Sequence, residues 1–234
     1  MGATDLANLP HIGESVRRKE DLRFLTGAGN YTDDINVAGQ THAVFVRSPH
    51  AHAKINGINT SAAEAMPGVV KVFTGADLEG QMGGLPCGWL ITDTDGQPMK
   101  EPPHPVLAQG KARYVGDHVA MVVAETLQQA KDAAEAVEVD YAPLQASVTC
   151  EQAKTSEALH AEAPDNHCYK WAIGDKAAVD SVFETAAHIT KLDLVNNRLV
   201  PNAMEPRAAL AQYNRASDEY TLHVSNQNPH VERL

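Results

Sequence analysis

Hydrophobic and polar positions alternate along this chain in short runs, each sized for a strand or a small helix. Residues 41–46 alternate as a strand and residues 54–59 form a second. Ser61-Ala-Ala-Glu64 has capping-box spacing and opens a short helix, which Pro67-Gly68 ends. Residues 69–74 follow as a mostly apolar strand. The plan then repeats. Residues 118–124 are a short apolar strand, Thr126-Leu-Gln-Gln129 is a second capping box, and Leu127, Ala130, Ala134 and Val137 keep one helix face apolar. Residues 137–141 alternate once more. Two strand–helix–strand units around one sheet predict an α/β sandwich.

Between the two units, residues 75–110 carry Gly80, Gly83, Gly84, Gly88 and Gly96 with Pro86, Pro98, Pro102, Pro103 and Pro105. That composition leaves no room for regular elements of any length. Loops so long inside a compact chain are usually functional or interface-forming. Trp89 and Leu90 either insert into a partner, border a substrate channel, or pack on the domain's own core. Residues 142–170 lose periodicity and read as a connection between domains. Asp175 then caps a helix with Ala178, Val179, Val182, Phe183 and Ala186 on one stripe, and residues 188–195 read as a strand.

The C-terminal stretch reads as a loop, a strand, a turn and a second strand. Ala209, Ala211 and Tyr213 fall on one face of the first strand, and Tyr220, Leu222 and Val224 on one face of the second. Turn composition over residues 214–218 makes a hairpin the simplest pairing. The hairpin ends on the polar corner Asn226-Gln227-Asn228-Pro229-His230, which brings the Gln227 amide, both donor and acceptor, to the mouth of a sheet.

The N-terminal residues 1–22 are polar and irregular, a solvated arm. Gly27-Ala-Gly29 lacks the third glycine and the preceding strand of a dinucleotide fingerprint, so it reads as a turn before Tyr31. His50 and His52 have a spacing that suggests a metal, but with no third ligand nearby they read as a structural turn with hydrogen-bonded imidazoles. A net charge of −11 argues against nucleic acid or anionic membrane as the main partner. No apolar run approaches the roughly 20 residues that span a bilayer. Cys87, Cys150 and Cys168 are odd in number and far apart, which suits reduced thiols in a cytoplasmic protein and excludes an iron–sulfur cluster held by this chain alone.

Several stretches carry a resemblance. They are Gly27-Ala-Gly-Asn-Tyr-Thr-Asp-Asp34, Arg47-Ser-Pro-His-Ala-His-Ala53, Met66-Pro-Gly68, Val115-Gly-Asp-His-Val-Ala120, Met204-Glu-Pro-Arg207 and the Gln-x-Pro-His corner at Gln227. In this order they resemble the N-terminal part of the large, molybdopterin-binding subunit of the xanthine dehydrogenase, aldehyde oxidase and aerobic carbon monoxide dehydrogenase family. The resemblance implies an α+β fold: an N-terminal arm over 1–22, an α/β hammerhead domain over 23–145, a linker over 146–170, and the incomplete start of a molybdopterin-binding domain over 171–234. It implies hydroxylation by water, or carbon monoxide oxidation, at molybdenum held by a pterin dithiolene, in the form of molybdopterin cytosine dinucleotide. FAD and 2Fe-2S clusters are expected on partner subunits. In the family the glutamine of the corner reaches an oxo ligand of molybdenum, a role carried here to Gln227 alone. No residue of this chain is expected to ligate metal directly.

The family's glycine-rich loop, its substrate-selecting loop and its general-base glutamate have no counterpart in these 234 residues. The chain is therefore expected to be inactive alone, with no catalytic residue of its own, and to be completed by the remaining large-subunit segment. Two other classes stay open: an interaction or assembly module, or a truncated gene product, that docks partner subunits without cofactor, and a small-molecule-binding protein built on the 75–110 loop. Glu205 and Arg207, two apart, share a face in extended chain and could each meet a buried counter-charge.

Overall fold

The computed structural model describes Gly13, Ser15 and residues 17–197, 199–203 and 205–232. Most of the arm over 1–22, together with Arg198 and Met204, lies outside the described residues. In chain order, helix α1 (Asp21–Leu25) and a 3-10 turn (Thr32–Asp34) precede strands β1 (His42–Arg47) and β2 (Ala53–Asn59). Then come α2 (Ser61–Glu64), β3 (Val69–Thr74), α3 (Gly75–Leu78), β4 (Lys111–Ala112), β5 (His118–Ala124), α4 (Leu127–Glu135) and β6 (Glu138–Pro143). Helices α5 (Cys150–Ala153) and α6 (Lys176–Thr185), the hairpin β7 (Ala209–Asn214) and β8 (Glu219–Val224), and α7 (Pro229–Glu232) complete the order.

The chain falls into two compact units, Gly39–Leu192 and the combination of Met1–Ala38 with Asp193–Leu234. In the larger unit the single expected sheet is two three-stranded sheets, ordered β1-β5-β3 and β4-β2-β6, with every pairing antiparallel. Each strand–helix–strand unit gives one strand to each sheet: β2 and β3 from the first, β6 and β5 from the second. The physical reason lies in the crossover. The link from Asn59 to Val69 is shorter than the dozen or so residues a parallel return needs. The chain therefore turns through α2 into the second sheet.

The core gathers Ala63, Val72, Ala120, Val122, Ala133 and Val137, which joins α2 and α4 to β3 and β5. Val72, Val119 and Val122 are fully buried, each stabilising the fold by about 1.5–3 kcal/mol. Alanine at 63, 120, 130 and 133 lets the helices lie close to the strands. Of the four residues expected to line α4, Ala130 and Val137 are buried, whereas Leu127 is half exposed and Ala133 takes its place inward.

The two capping boxes have different outcomes. Thr126 caps α4 as expected, its hydroxyl accepting from Gln129 N–H at 3.2 Å. Ser61 does not cap α2: it lies inside the helix, and Asn59 Oδ1 accepts from Ser61 N–H at 3.2 Å instead. An Asn two residues upstream reaches the same orphan donor, so the Ser-x-x-Glu spacing was coincidental. Gly68 ends this segment at φ +80°, where a Cβ would meet the Gln129 side chain.

Residues 75–110 are irregular apart from α3, whose first turn is closed by Asp77 accepting from Thr74 N–H and Oγ1–H, both at 2.7 Å. These bonds hold the Asp77 carboxyl below its usual range. The loop also fastens onto the stretch expected to be a bare connection. Thr94 N–H donates to Lys170 O and Lys100 N–H to Cys168 O, and Lys100 Nζ sits 2.7 Å from Asp165. Asn166, at φ +55°, gathers the same stretch by donating to the Ala153, Ser156 and Glu157 carbonyls while accepting from Leu159 N–H. Trp89 and Leu90 remain 80% and 68% exposed, so packing on the domain's own core is not what they do.

Candidate functional site

The hairpin forms as the pattern predicts. β7 and β8 pair in one register that sets Ala209 against Val224, Ala211 against Leu222 and Tyr213 against Tyr220. The two tyrosine rings stack with centroids 4.6 Å apart. The turn has Asp218 at φ +55°, and its carboxylate accepts from Tyr213 Oη–H at 2.9 Å, which raises the Tyr213 pKa. The expected strand over residues 188–195 does not form. Its periodicity is real, but among the described residues no strand lies beside it to take its backbone bonds, and Leu192, Leu194 and Val195 are exposed.

Beyond β8 the chain is fixed by Ser225 and Asn226. Ser225 N–H donates to Ala208 O, Ser225 Oγ–H donates to Pro206 O at 3.3 Å, and Ala208 N–H donates to Ser225 Oγ at 3.4 Å. Asn226 Oδ1 accepts from Asn228 N–H. Pro229 then opens α7 from the first helical position, where its missing N–H costs nothing. Between these fixed neighbours Gln227 is exposed, and its amide has no hydrogen-bond partner among the described residues. It does not cap the strand end; Ser225 and Asn226 do that.

This geometry bears on a metal–pterin group. Among the described residues no three His, Cys, Asp or Glu side chains converge in a way that could hold a metal ion. What the corner presents is a neutral amide with donor and acceptor both open, on a backbone held at both sides. That donor set suits contact with a group whose metal is carried by other ligands, and it adds no charge to the metal's surroundings.

Glu205 is half-buried and its Oε1 accepts from Thr32 N–H at 3.5 Å, so its partner is a backbone amide of the N-terminal segment. Arg207 is exposed. Neither meets a buried counter-charge among the described residues. Spacing in one strand gave no sign that the acceptor's partner lay 173 residues away.

The paired histidines behave as a structural turn. Ser48 Oγ–H donates to His50 O at 2.9 Å and accepts from His50 N–H at 3.1 Å, and the His50 ring meets the Tyr141 ring edge-on at 5.0 Å. His52 is buried, with Nδ1 2.9 Å from Gln145 O. Elsewhere in the larger unit a cleft of about 260 Å³ is lined by Pro102, Pro103, His104, Arg113, Tyr114 and His160. Its polar groups serve the fold: Arg113 Nε–H donates to Leu159 O and Arg113 N–H to Asp117 Oδ2. Burial, and then the Arg113 charge, push the His160 pKa down. Nothing in the spacing of these residues singles them out in advance.

Comparison with known proteins supplies the context. Residues 26–145 match the profile of the aldehyde oxidase and xanthine dehydrogenase a/b hammerhead domain, and residues 159–234 that of a molybdopterin cofactor-binding domain. The chain is 40% identical to the nicotine 6-hydroxylase large subunit of Paenarthrobacter nicotinovorans over 95% of its own length and 27% of that protein. It is 36% identical to the carbon monoxide dehydrogenase large chain of Afipia carboxidovorans over 96% of its length and 28% of that protein. Among solved structures, a Cu,Mo-CO dehydrogenase superposes with a TM-score of 0.79 at 34% identity, covering 95% of this chain and 28% of that one. Quinoline 2-oxidoreductase from Pseudomonas putida 86 gives 0.75 at 33%, covering 92% and 27%. The chain thus spans little more than a quarter of the length of these relatives.

Proposed function

The chain belongs to the aldehyde oxidase and xanthine dehydrogenase family and corresponds to the N-terminal part of its large subunit, and from that premise we propose that it supplies one wall of a molybdenum–pterin site in an oxidoreductase. The observation that carries the reading is the Gln227 amide, exposed and unpartnered among the described residues on a corner fixed by Ser225 and Asn226. When bound, the molybdenum–pterin group supplies the redox chemistry that oxidises substrate. The task of Gln227 is to present its Nε2–H as an uncharged donor from a fixed strand end. Ser225 and Asn226 hold the backbone so that the amide is oriented before the group arrives.

The finer assignments belong to the same proposal. The pterin is molybdopterin cytosine dinucleotide, and FAD and 2Fe-2S clusters reside on partner subunits. Relatives described as a large subunit, a large chain and a subunit gamma of a dehydrogenase complex support partner subunits in general; the dinucleotide form and the partners' cofactors are what the family resemblance implies. The division proposed is an arm (1–22), hammerhead (23–145), linker (146–170) and the start of the cofactor domain (171–234); the match over 26–145 supports the second, and the match over 159–234 supports the last while beginning inside the proposed linker. A cytoplasmic setting fits the three free cysteines. No helix among the described residues is long and apolar enough to cross a membrane.

In the completed assembly, Gln227→Ala is expected to slow turnover by about 10- to 100-fold at normal molybdenum content. Unchanged turnover at normal content would remove Gln227 from the site. A second reading, an assembly module that never meets cofactor, draws on the exposed Val182, Phe183 and Tyr220. Metal and pterin analysis of the purified complex separates the two, since the assembly reading requires neither to accompany this chain.

A further inference from the structure

We propose that residues 21–34 form a strap that sets the position of the Asn226-Gln227-Asn228 corner, with Glu205 as the positioning residue through which it acts. The chemical importance of that corner rests on the reading of Gln227 above; the mechanical link does not.

The strap is stiff by construction. Helix α1 ends in a closed turn in which Ala28 N–H donates to Arg23 O at 2.8 Å and Gly27 N–H to Phe24 O at 3.2 Å, with Gly27 at φ +73°. This double bond pattern around a left-handed glycine is the Schellman motif. The Phe24 and Tyr31 rings then stack at 5.8 Å, and the Arg23 guanidinium lies 5.0 Å over the Phe24 ring. A Cβ on Gly29 would stand 2.8 Å from Phe24 Cδ1, so glycine is what lets the chain pass there. Tyr31 N–H donates to Asp34 Oδ2 at 2.9 Å and fixes the 3-10 turn.

The hairpin needs such a support. Two strands alone are marginal in water, and among the described residues no third strand joins β7 and β8. The 3-10 turn packs on β7. A groove of about 470 Å³ runs between the strap and β8, bordered by Arg23, Tyr31, Ile35, Glu205, His223 and Val224. Thr32 N–H donates to Glu205 Oε1 at 3.5 Å. From Glu205 the next residue, Pro206, accepts from Ser225 Oγ–H, and Ser225 lies two positions before Gln227. The path is contiguous: strap, Glu205, Pro206, Ser225, corner. It gives the Gly27-to-Asp34 and Glu205-to-Arg207 motifs a shared purpose.

The test compares Glu205→Ala with Glu205→Gln, which keeps an acceptor oxygen. Hydrogen exchange of this chain should show residues 31–34 and 219–228 exchanging about tenfold faster in Glu205→Ala, with β1–β6 unchanged. Glu205→Gln should restore exchange to within about threefold. The Gln227 side-chain amide resonances should move in Glu205→Ala and return in Glu205→Gln. Thr32→Pro, which deletes the donor, should act like Glu205→Ala and add nothing to it in the double variant. Unaltered exchange in Glu205→Ala, equal effects of Ala and Gln, or additive effects of the two sites would each overturn the proposal. Gln227→Ala should leave this exchange pattern intact, so a failed role for Gln227 and a failed strap give different results.

Discussion

Val122 on β5 and Leu222 on β8 stand mid-strand in antiparallel pairs, opposite Val44 and Ala211 respectively. Val122 is fully buried, while Leu222 is 54% exposed. The hairpin's pairing is the more regular, with an unbroken register where both ladders of β5 carry a shift. The difference is the second layer: β5 is covered by α4 and flanked by two strands, whereas among the described residues β8 has one strand neighbour. The hairpin also has its sides unevenly covered. Leu210 and Gln212 are half-buried, and the apolar side bearing Ala211, Tyr213, Tyr220 and Leu222 is open. Strand pairing is thus a local matter, and burial depends on what else the chain brings to the face.

The sharpest way to break this contrast is limited proteolysis with mass mapping of the cut sites. Residues 171–232 should be cleaved about 100-fold faster than residues 42–143, because few buried apolar contacts protect them. Equal resistance would abolish the contrast. Core truncation comes next. Val122→Ala should cost about 2 kcal/mol by chemical denaturation of the hammerhead transition, and Leu222→Ala within about 0.5 kcal/mol. Comparable losses would show that the hairpin face is covered. Thr126→Ala should cost about 1 kcal/mol through loss of the α4 cap, whereas Ser61→Ala should be nearly neutral because Asn59 does that work.

The smallest effect is the pH response. Burial, with help from Arg47, holds the His118 pKa below its ordinary value, and burial with Arg113 does the same for His160. Above the unfolded value of about 6.5 both states are neutral and nothing is lost. As pH falls through that value the unfolded chain takes up protons first, so hammerhead stability declines toward the lower folded pKa. His118→Phe, which can keep the stacking on Phe45 at 4.3 Å, should flatten that decline between about pH 7 and 5. An unaltered slope in thermal melts would show that the His118 ring titrates as it does in the unfolded chain.

Strands β1, β2, β6, β7 and β8 were legible from alternation, β3 and β5 from short apolar runs, and α4 and α6 from their caps and apolar stripes. Each depends on residues within a few positions of one another, which is the range over which period and capping act. The Gln227 corner was legible in the same way, as polar turn residues following an alternating strand. The partner of Glu205 was not, nor was the Ser225 clamp on Pro206, because a hydroxyl or carboxylate in a sequence does not name the distant backbone group it will bond. The expected strand over 188–195 shows the opposite limit: its alternation was sufficient as a pattern and insufficient as a structure without an adjacent edge.

By itself, the sequence determined seven of the strands, helices α4 and α6, the two repeated strand–helix–strand units and the amide-bearing corner, since these follow from side-chain period and local hydrogen bonding. Tertiary structure alone decided that the repeats interleave into two sheets, that residues 93–100 are fastened to residues 165–170, and that the N-terminal segment belongs with the hairpin. Those outcomes depend on which surfaces and backbone groups meet across more than a hundred residues in the last case. Such meetings are settled by burial and backbone satisfaction over the whole chain, and no local pattern encodes them.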